Sequence, residues 1–508
     1  MPRRQRDGCS RENGMSLGQS IRSGVKWLAM GNVARRLLEF AYGVILARLL
    51  VPADFGMIVT VQVFTGVVGL FASGGMGQAL IRAKQADERD FTAIFTFQMG
   101  LGLLIYLSFY IAAPFLADFL ENPLYKDLIR VSSISFLLRP FTQIRNAWLS
   151  REMRFKTLTY MRLGAGVMTG VFSVAMAWFG LGVWSLTLSG LFSTFITNVV
   201  MSRFTPLRLR FNLDLAIIRK HGAFGMKITA SSFITYLRNE AKHLIISKMA
   251  GPAFLGLFNK AESMARIPNQ MIMPATMEPL FRGLSKIQDN LDQTKYMYYR
   301  SITLLMAYTA PLYVLLWWVA QPFIYVVYGE KWQDAGSPMS ILALGGFFLN
   351  LIYPSSAVLS AQNRLGKEMI AQLLNLGFII IACYLGLGWG LEGVAWGIIL
   401  GHALMAVHMY WLVLQTLPTR VTDLFRAVLP GLGLALLVFS VLALTHFLLA
   451  PHLPNPFLYL AVMSGIGGLT HSLAFLFLPI PALSTEAGRW RSKLRSSLAF
   501  LPRVRRVP

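Results

Sequence analysis

The sequence is short of cysteine, of acidic side chains and of charge altogether. Cys9 and Cys383 are its two cysteines in 508 residues, too few for a disulfide framework or a thiolate metal cluster. Charged residues make up 14% of the chain, whereas a soluble domain carries about 25%. The acidic residues number 23 against 47 basic ones. These shortages argue against a disulfide-rich secreted domain and against an ordinary soluble enzyme.

Long apolar runs are what the sequence has in abundance, and 55% of its residues are hydrophobic. A run of about 20 apolar residues is long enough to cross the hydrocarbon core as a helix. Each such run must be helical, because a backbone in lipid has to satisfy its own hydrogen bonds. We predict an all-α integral membrane protein with about fourteen spans, near residues 21–46, 55–80, 91–116, 128–150, 158–179, 182–202, 221–246, 253–275, 299–321, 338–359, 367–387, 391–414, 425–449 and 457–479.

The basic residues are concentrated on one side of this predicted arrangement. A net charge of +24 would suggest nucleic acid in a soluble protein, but here it lies in short loops between apolar runs. If the N-terminus is cytoplasmic, the outer loops keep only Arg48, Lys126, Lys248 and Lys331, as the positive-inside rule requires. The pattern predicts a multi-pass protein of the bacterial inner (plasma) membrane with both termini cytoplasmic. Its partners would include membrane lipids and no nucleic acid.

The chain also repeats itself. Residues 46–56 (LARLLVPADFG) align with residues 246–256 (ISKMAGPAFLG), with the same basic, Pro-Ala and Gly positions. An offset that covers an even number of spans gives parallel repeats, related by an axis along the membrane normal. We therefore predict two six-helix lobes around a central cavity. The domain ranges are a basic tail at 1–14, lobes at 15–208 and 209–416, helices 13 and 14 at 417–484 and a basic cytoplasmic tail at 485–508.

Three of the predicted spans carry polar stripes. An ionisable side chain within the bilayer is costly, so it should face a cavity or a partner. If the lobes bring the stripes together, they form a net-positive cavity, and arginine binds phosphate oxygens in two-point fashion. Internal ion pairs that only fix packing are the alternative. The candidate binding residues lie on the first span (Asn32, Arg35, Arg36, Glu39), the seventh (Lys227, Arg238, Asn239, Lys242) and the eighth (Asn259, Glu262, Arg266).

Five motifs, in this order along the chain, resemble a known family. They are LARLLVPADFG at 46–56, REMRF at 151–155, GVWSL at 182–186, LGLFNKA at 255–261 and ARIP at 265–268. The chain resembles the Wzx-type O-antigen and exopolysaccharide flippases of the multidrug/oligosaccharidyl-lipid/polysaccharide exporter superfamily. It departs from them at 238–243 (RNEAKH), where relatives usually carry an Asn/Asp-rich seventh span.

The resemblance implies two lobes that work by alternating access. It implies translocation of polyprenyl (undecaprenyl)-diphosphate-linked oligosaccharide for lipopolysaccharide or exopolysaccharide biosynthesis. The lipid-linked oligosaccharide is then the main partner, with a polysaccharide polymerase and chain-length machinery as further ones. We predict a transporter and not an enzyme, with no catalytic residue, metal or cofactor, and leave a coupling ion, H+ or Na+, open.

Two other functions stay open at this point. A cation-coupled multidrug exporter of the same fold would need an acidic or aromatic cavity, whereas these stripes are rich in Arg and Lys. A membrane polysaccharide polymerase or ligase usually needs a long outward loop to hold its site, and every predicted outward loop is short. The residues therefore favour the flippase over both alternatives.

Overall fold

The computed structural model describes residues 17–73, 75–83, 86–207, 209–287 and 289–498. Within these ranges every regular element is helical, which confirms the predicted all-α class. The predicted tail at 1–14 and the last ten residues of the tail at 485–508 lie outside the described residues. The chain divides after Glu240 into two compact units, and the predicted domain ranges stay predictions.

The first unit contains eight helices and the beginning of a ninth among its described residues. The ninth helix is long and bent, and it continues into the second unit. The helices are α1 (Leu17–Leu49), α2 (Pro52–Ser73), α3 (Met76–Arg82), α4 (Glu88–Phe119), α5 (Leu124–Ser133), α6 (Ser135–Arg151), α7 (Phe155–Trp178), α8 (Val183–Phe204) and α9 (Leu215–Ala265).

The second unit is built around one long helix, α11. Its side chains at Tyr298, Ile302, Met306 and Ala310 are almost fully buried, and their spacing of four places them on one helix face. This face packs in one core with residues of α12 and α15. The helices that follow α9 in this unit are α10 (Ile267–Lys286), α11 (Leu291–Tyr328), α12 (Gly336–Ala361), α13 (Leu365–Gly386), α14 (Gly390–Leu414), α15 (Val421–Leu449), α16 (Pro456–Phe477) and α17 (Ser484–Leu498).

Nine segments of the described chain are long and apolar enough to cross a membrane, and one of them, Leu365–Leu414, contains both α13 and α14. Every predicted span falls on a helix or a helix pair, so a multi-pass membrane protein is confirmed while the count of fourteen crossings stays a prediction. The predicted spans outside these nine segments are the ones richest in polar residues: 21–46, 128–150, 221–246 and 253–275.

Two of those spans are not single helices. The span at 128–150 is divided between α5 and α6 at Ile134. The span at 253–275 is divided between α9 and α10 at Arg266, where Pro268 occupies the first turn of α10. Proline lacks the backbone N–H that a continuous helix needs, but it is well tolerated in a first turn. The expectation of one continuous helix was wrong at both places, and also at 55–80, where α2 ends at Ser73 and α3 begins at Met76.

Helices α1 and α7 run parallel. Trp27 packs against Tyr160, with ring centroids 5.3 Å apart, and Tyr42 packs against Gly170. Residue numbers therefore rise together along both helices. Two spans that cross the membrane in the same direction are separated by an odd number of other spans. The predicted spans between α1 and α7 are three, on α2, α4 and the α5–α6 pair. This packing supports the predicted order of spans in the first unit.

The repeated motif interrupts a helix just before a proline in both copies. In the first copy α1 ends at Leu49 and α2 begins at Pro52. In the second, α9 bends at Gly251, whose φ of 82° is in the left-handed region. Glycine adopts that conformation without steric cost, and Pro252 then begins the second arm of the helix. The sequence repeat is thus a repeat of a helix, a break and a proline-initiated helix.

Candidate functional site

The most deeply buried charge cluster of the second unit surrounds Glu262. The Glu262 carboxylate lies 3.2 Å from Lys242 Nζ, 3.0 Å from His243 Nε2 and 3.1 Å from Arg266 Nη2. The side chains of Lys242, His243 and Glu262 are 5–7% exposed, whereas Arg266 is 36% exposed. The structure therefore brings together three of the predicted site residues and adds His243.

The bend in α9 creates this cluster. His243 and Glu262 are 19 residues apart, which would separate them by about 28 Å along a straight helix. Their 3.0 Å contact shows that the arm after Gly251 folds back along the arm before it. The positive φ of Gly251 and the proline that follows it are the local features that permit this fold.

The Glu262 carboxylate is in contact with three basic side chains. One carboxylate faces two permanent cations, Lys242 and Arg266, and a histidine that adds a further charge when protonated. A buried charge is tolerated when it is paired, and removing its partner is strongly destabilising. Glu262 therefore holds Lys242 and Arg266 in place, and Arg266 is the one of its basic partners that reaches the surface of the cluster.

A buried amide without a partner lies beside this cluster. Asn269 is 5% exposed, and neither its Oδ1 nor its Nδ2 has a hydrogen-bond partner among the described residues. It follows Arg266 by three positions on α10, so the two share a helix face. The phenol of Tyr313 on α11 is also close enough to Arg266 for the two groups to interact electrostatically. Since an unpartnered buried polar group costs about 1–3 kcal/mol, Asn269 is a candidate for binding a ligand or a water molecule.

Lys260, the third basic residue of this region, has aromatic neighbours. Its Nζ lies 4.7 Å from the centre of the Tyr328 ring and 5.0 Å from that of Trp332. Both rings are buried. A cation over an aromatic face is stabilised by the negative potential of the ring, so the two rings hold the ammonium group of Lys260 within the second unit.

In the first unit, the predicted pair of Arg35 and Glu39 forms, with Nη1 2.6 Å from Oε1 and both side chains about two-fifths exposed. Asn32 and Arg36 are exposed on the same helix.

Two further predicted residues of this unit, Arg238 and Asn239, are half-buried, and Arg238 Nη2 donates to Asn239 Oδ1 at 3.4 Å. The side chain of Lys227 is outside the described residues. In the second unit, Asn259 is half-buried on α9. That all three stripes share one cavity stays a prediction.

Several arginines of the first unit were not predicted as site residues, because the positive-inside pattern assigns them to cytoplasmic loops. Arg139 lies within α6, with its guanidinium 4.9 Å above the Phe136 ring. Arg162 on α7 donates to Asn146 Oδ1 at 2.8 Å, and its charge is close enough to Arg35 to be repelled. The polar residues of α6 recur at intervals of three and four. That helical period was the signal that could have identified them.

Long apolar helices with charged side chains among them define the class: an all-α, multi-pass membrane protein. The chain belongs to the polysaccharide biosynthesis protein family, whose model matches residues 45–337, more than half of its length. The resemblance to Wzx-type flippases that the motifs indicate is confirmed.

Two relatives and one solved structure match over most of the chain. WzxC of Escherichia coli (strain K12), a lipopolysaccharide biosynthesis protein, is 23% identical over 408 residues, 79% of this chain and 82% of that protein. ExoT of Rhizobium meliloti (strain 1021), a succinoglycan biosynthesis transport protein, is 24% identical over 497 residues, 96% of this chain and 97% of that one. The lipid II flippase MurJ, in its inward closed conformation, has a TM-score of 0.69 at 16% identity, over 92% of this chain and 99% of that chain. At that identity the structural likeness shows the fold alone.

Proposed function

We propose that this protein is a flippase that moves a polyprenyl-diphosphate-linked oligosaccharide across the bacterial inner membrane by alternating access. The observation that carries the proposal is the cluster of Lys242, His243 and Arg266 around Glu262, among helices of a membrane protein. Family membership supports it, and so do the relatives: a lipopolysaccharide biosynthesis protein, a succinoglycan biosynthesis transport protein and, for the fold, a lipid II flippase.

The chemistry of the cluster suits a diphosphate. Arg266 is the most accessible of its cations, and a guanidinium group can donate two parallel hydrogen bonds to phosphate oxygens. Asn269, with its free amide donor and acceptor, can bind a phosphate oxygen or a sugar hydroxyl next to it. A low-dielectric surrounding strengthens these attractions. A small organic cation would instead be repelled, since Glu262 is already paired with cations.

Binding of charged and uncharged lipids tests this proposal. We expect purified protein to bind a polyprenyl-diphosphate sugar at least about tenfold more tightly than the uncharged polyprenol, because each charge-assisted hydrogen bond contributes about 1.5–3 kcal/mol. Arg266→Ala and Arg238→Ala should each reduce this ratio severalfold. The matched control is Arg489→Ala, since Arg489 also pairs with a glutamate one helical turn earlier, Glu486 at 2.8 Å, but lies on α17, outside the candidate spans.

Equal affinity for the two lipids would contradict the proposal. Tight binding of organic cations with no binding of diphosphate lipids would indicate a multidrug exporter instead. Longer or transferred glycan chains in the assay would indicate a polymerase or ligase. Salt should weaken the preference for the diphosphate less than it weakens binding at an exposed site, because a buried charge is poorly screened.

We also propose that both termini are cytoplasmic and that successive loops lie on alternate sides of the membrane. Reporter fusions should show the cytoplasm after Arg89, Lys220 and Arg426, and the outer side near Glu121, Glu330 and Asn455. The physical reason is the excess of Lys and Arg in the segments assigned to the cytoplasm. Because the sides alternate, one fusion that reports the opposite side would overturn the count of spans.

A further inference from the structure

An apolar groove runs along the outside of the first unit between the parallel helices α1 and α7. It has a volume of about 560 Å³ and is lined almost entirely by apolar atoms. On α1 its lining extends from Leu38 to Ile45, and on α7 from Val167 to Phe179. Twelve residues of α7 correspond to about 18 Å of helix, more than half of the roughly 30 Å hydrocarbon core.

One end of this groove is positively charged. Arg35 precedes Leu38, the first lining residue of α1, by one helical turn, and Arg162 precedes Val167 on α7. Arg162 is exposed and hydrogen-bonded to Asn146, and Glu39 is the acidic partner of Arg35. Because the two helices are parallel, their arginines lie at the same end.

Tyr42 connects the charged end to the apolar part. Its ring lines the groove and packs on Gly170, where an added Cβ would stand 2.9 Å from the ring. Its hydroxyl is within electrostatic reach of Glu39 and Arg35. The surface therefore changes from ionic to apolar within about two helical turns, which matches a ligand that has an anionic head and a long hydrocarbon tail.

We propose that this groove holds the polyprenyl chain of the phosphorylated lipid while its phosphate end contacts Arg35 and Arg162, a binding position other than the one proposed at the Glu262 cluster. The inference rests on the proposed function and deepens it, because it assigns a place to the tail in the first unit alone. Charge complementarity selects this occupant. A neutral apolar segment of a second copy would leave the cationic end unmatched, whereas a phosphorylated isoprenoid occupies both parts.

The expected effect on affinity is moderate. A tail that leaves lipid for an equally apolar groove gains no hydrophobic free energy, so packing alone contributes. We expect wild-type protein in lipid nanodiscs to bind a long-chain polyprenyl-diphosphate sugar about threefold to tenfold more tightly than the same head group on a short isoprenoid chain.

Val171→Trp tests the groove by filling it, since Val171 is a lining residue and is 67% exposed. It should bring the ratio of long-chain to short-chain affinity close to one and leave short-chain binding unchanged. The matched control is Val407→Trp on α14, because Val407 is 68% exposed and does not line the groove. It should keep the wild-type ratio. A Val171→Trp protein with the wild-type ratio would overturn the proposal.

Photo-crosslinking of the wild-type protein needs no substitution. A diazirine near the end of the polyprenyl chain of the diphosphate sugar should label residues 38–45 and 167–179. The same diazirine on the free polyprenol should label these residues more weakly. Labelling elsewhere, or equally strong labelling by a diazirine phospholipid that competes with the probe, would overturn the assignment. Disulfide dimers of a Val171→Cys protein would do so too, by showing that a second copy covers the groove.

The two proposals can fail separately. If the short-chain diphosphate sugar does not bind, the proposed function fails, while labelling by the free polyprenol still decides whether the groove takes an isoprenoid tail. If the head group binds but no tail probe labels α1 or α7, the groove assignment fails and the proposed function stands.

Discussion

Glu262→Gln is expected to lower the free energy of unfolding by about 3–5 kcal/mol, because it leaves buried cations without their counter-charge. Lys242 is 5% exposed and lies 3.2 Å from the carboxylate, and Arg266 lies 3.1 Å from it. Denaturant titration of the purified protein, followed by helical circular dichroism, measures the change. The double variant Glu262→Gln/Lys242→Met should recover part of the loss, since it removes one of the stranded charges.

The matched control for this prediction is Glu486→Gln. Glu486 also pairs with two arginines, Arg489 at 2.8 Å and Arg300 at 3.5 Å. It lies on α17 outside the candidate spans, and Arg489 is 68% exposed. Glu486 itself is partly buried, at 17% exposed, but its partner Arg489 reaches solvent, so its loss should cost about 1 kcal/mol, less than the loss of Glu262. Equal costs for the two variants would mean that the Glu262 cluster is solvated and not buried.

Gly397→Leu is expected to destabilise the second unit by about 3 kcal/mol or more, because an added side chain would overlap a neighbouring backbone. A Cβ at Gly397 would stand 2.8 Å from the carbonyl oxygen of Ala382 on α13. Gly393, one turn earlier on α14, faces the backbone of Gly386 in the same way. Small residues spaced four apart let membrane helices approach closely, and packing is the main force that holds them together.

The comparison is with Gly377→Leu on the partner helix α13, where an added Cβ has open space around it. That change should alter stability by no more than about 0.5 kcal/mol. Yield of monodisperse protein and the midpoint of unfolding measure both variants. If the two leucine variants are equally stable, close backbone contact between α13 and α14 is not what holds these helices together.

The sequence by itself determined the class, the positions of the helices and the most local ion pair. Apolar runs of membrane-spanning length dictate helices, since a backbone in lipid can hydrogen-bond only to itself. Arg35 and Glu39 are four residues apart, so the helix alone brings them together at 2.6 Å. The repeat around Pro52 and Pro252 likewise marked two breaks that local backbone preferences require.

Only the tertiary structure decided how distant residues meet. No pattern in the sequence indicates that Lys242 and His243 pair with Glu262, since this depends on the direction in which α9 folds back at Gly251. The groove between α1 and α7 depends on packing between helices more than a hundred residues apart. Hydropathy and helical period fix which face of a helix is polar, but the partner of that face is selected by side-chain packing across the whole fold.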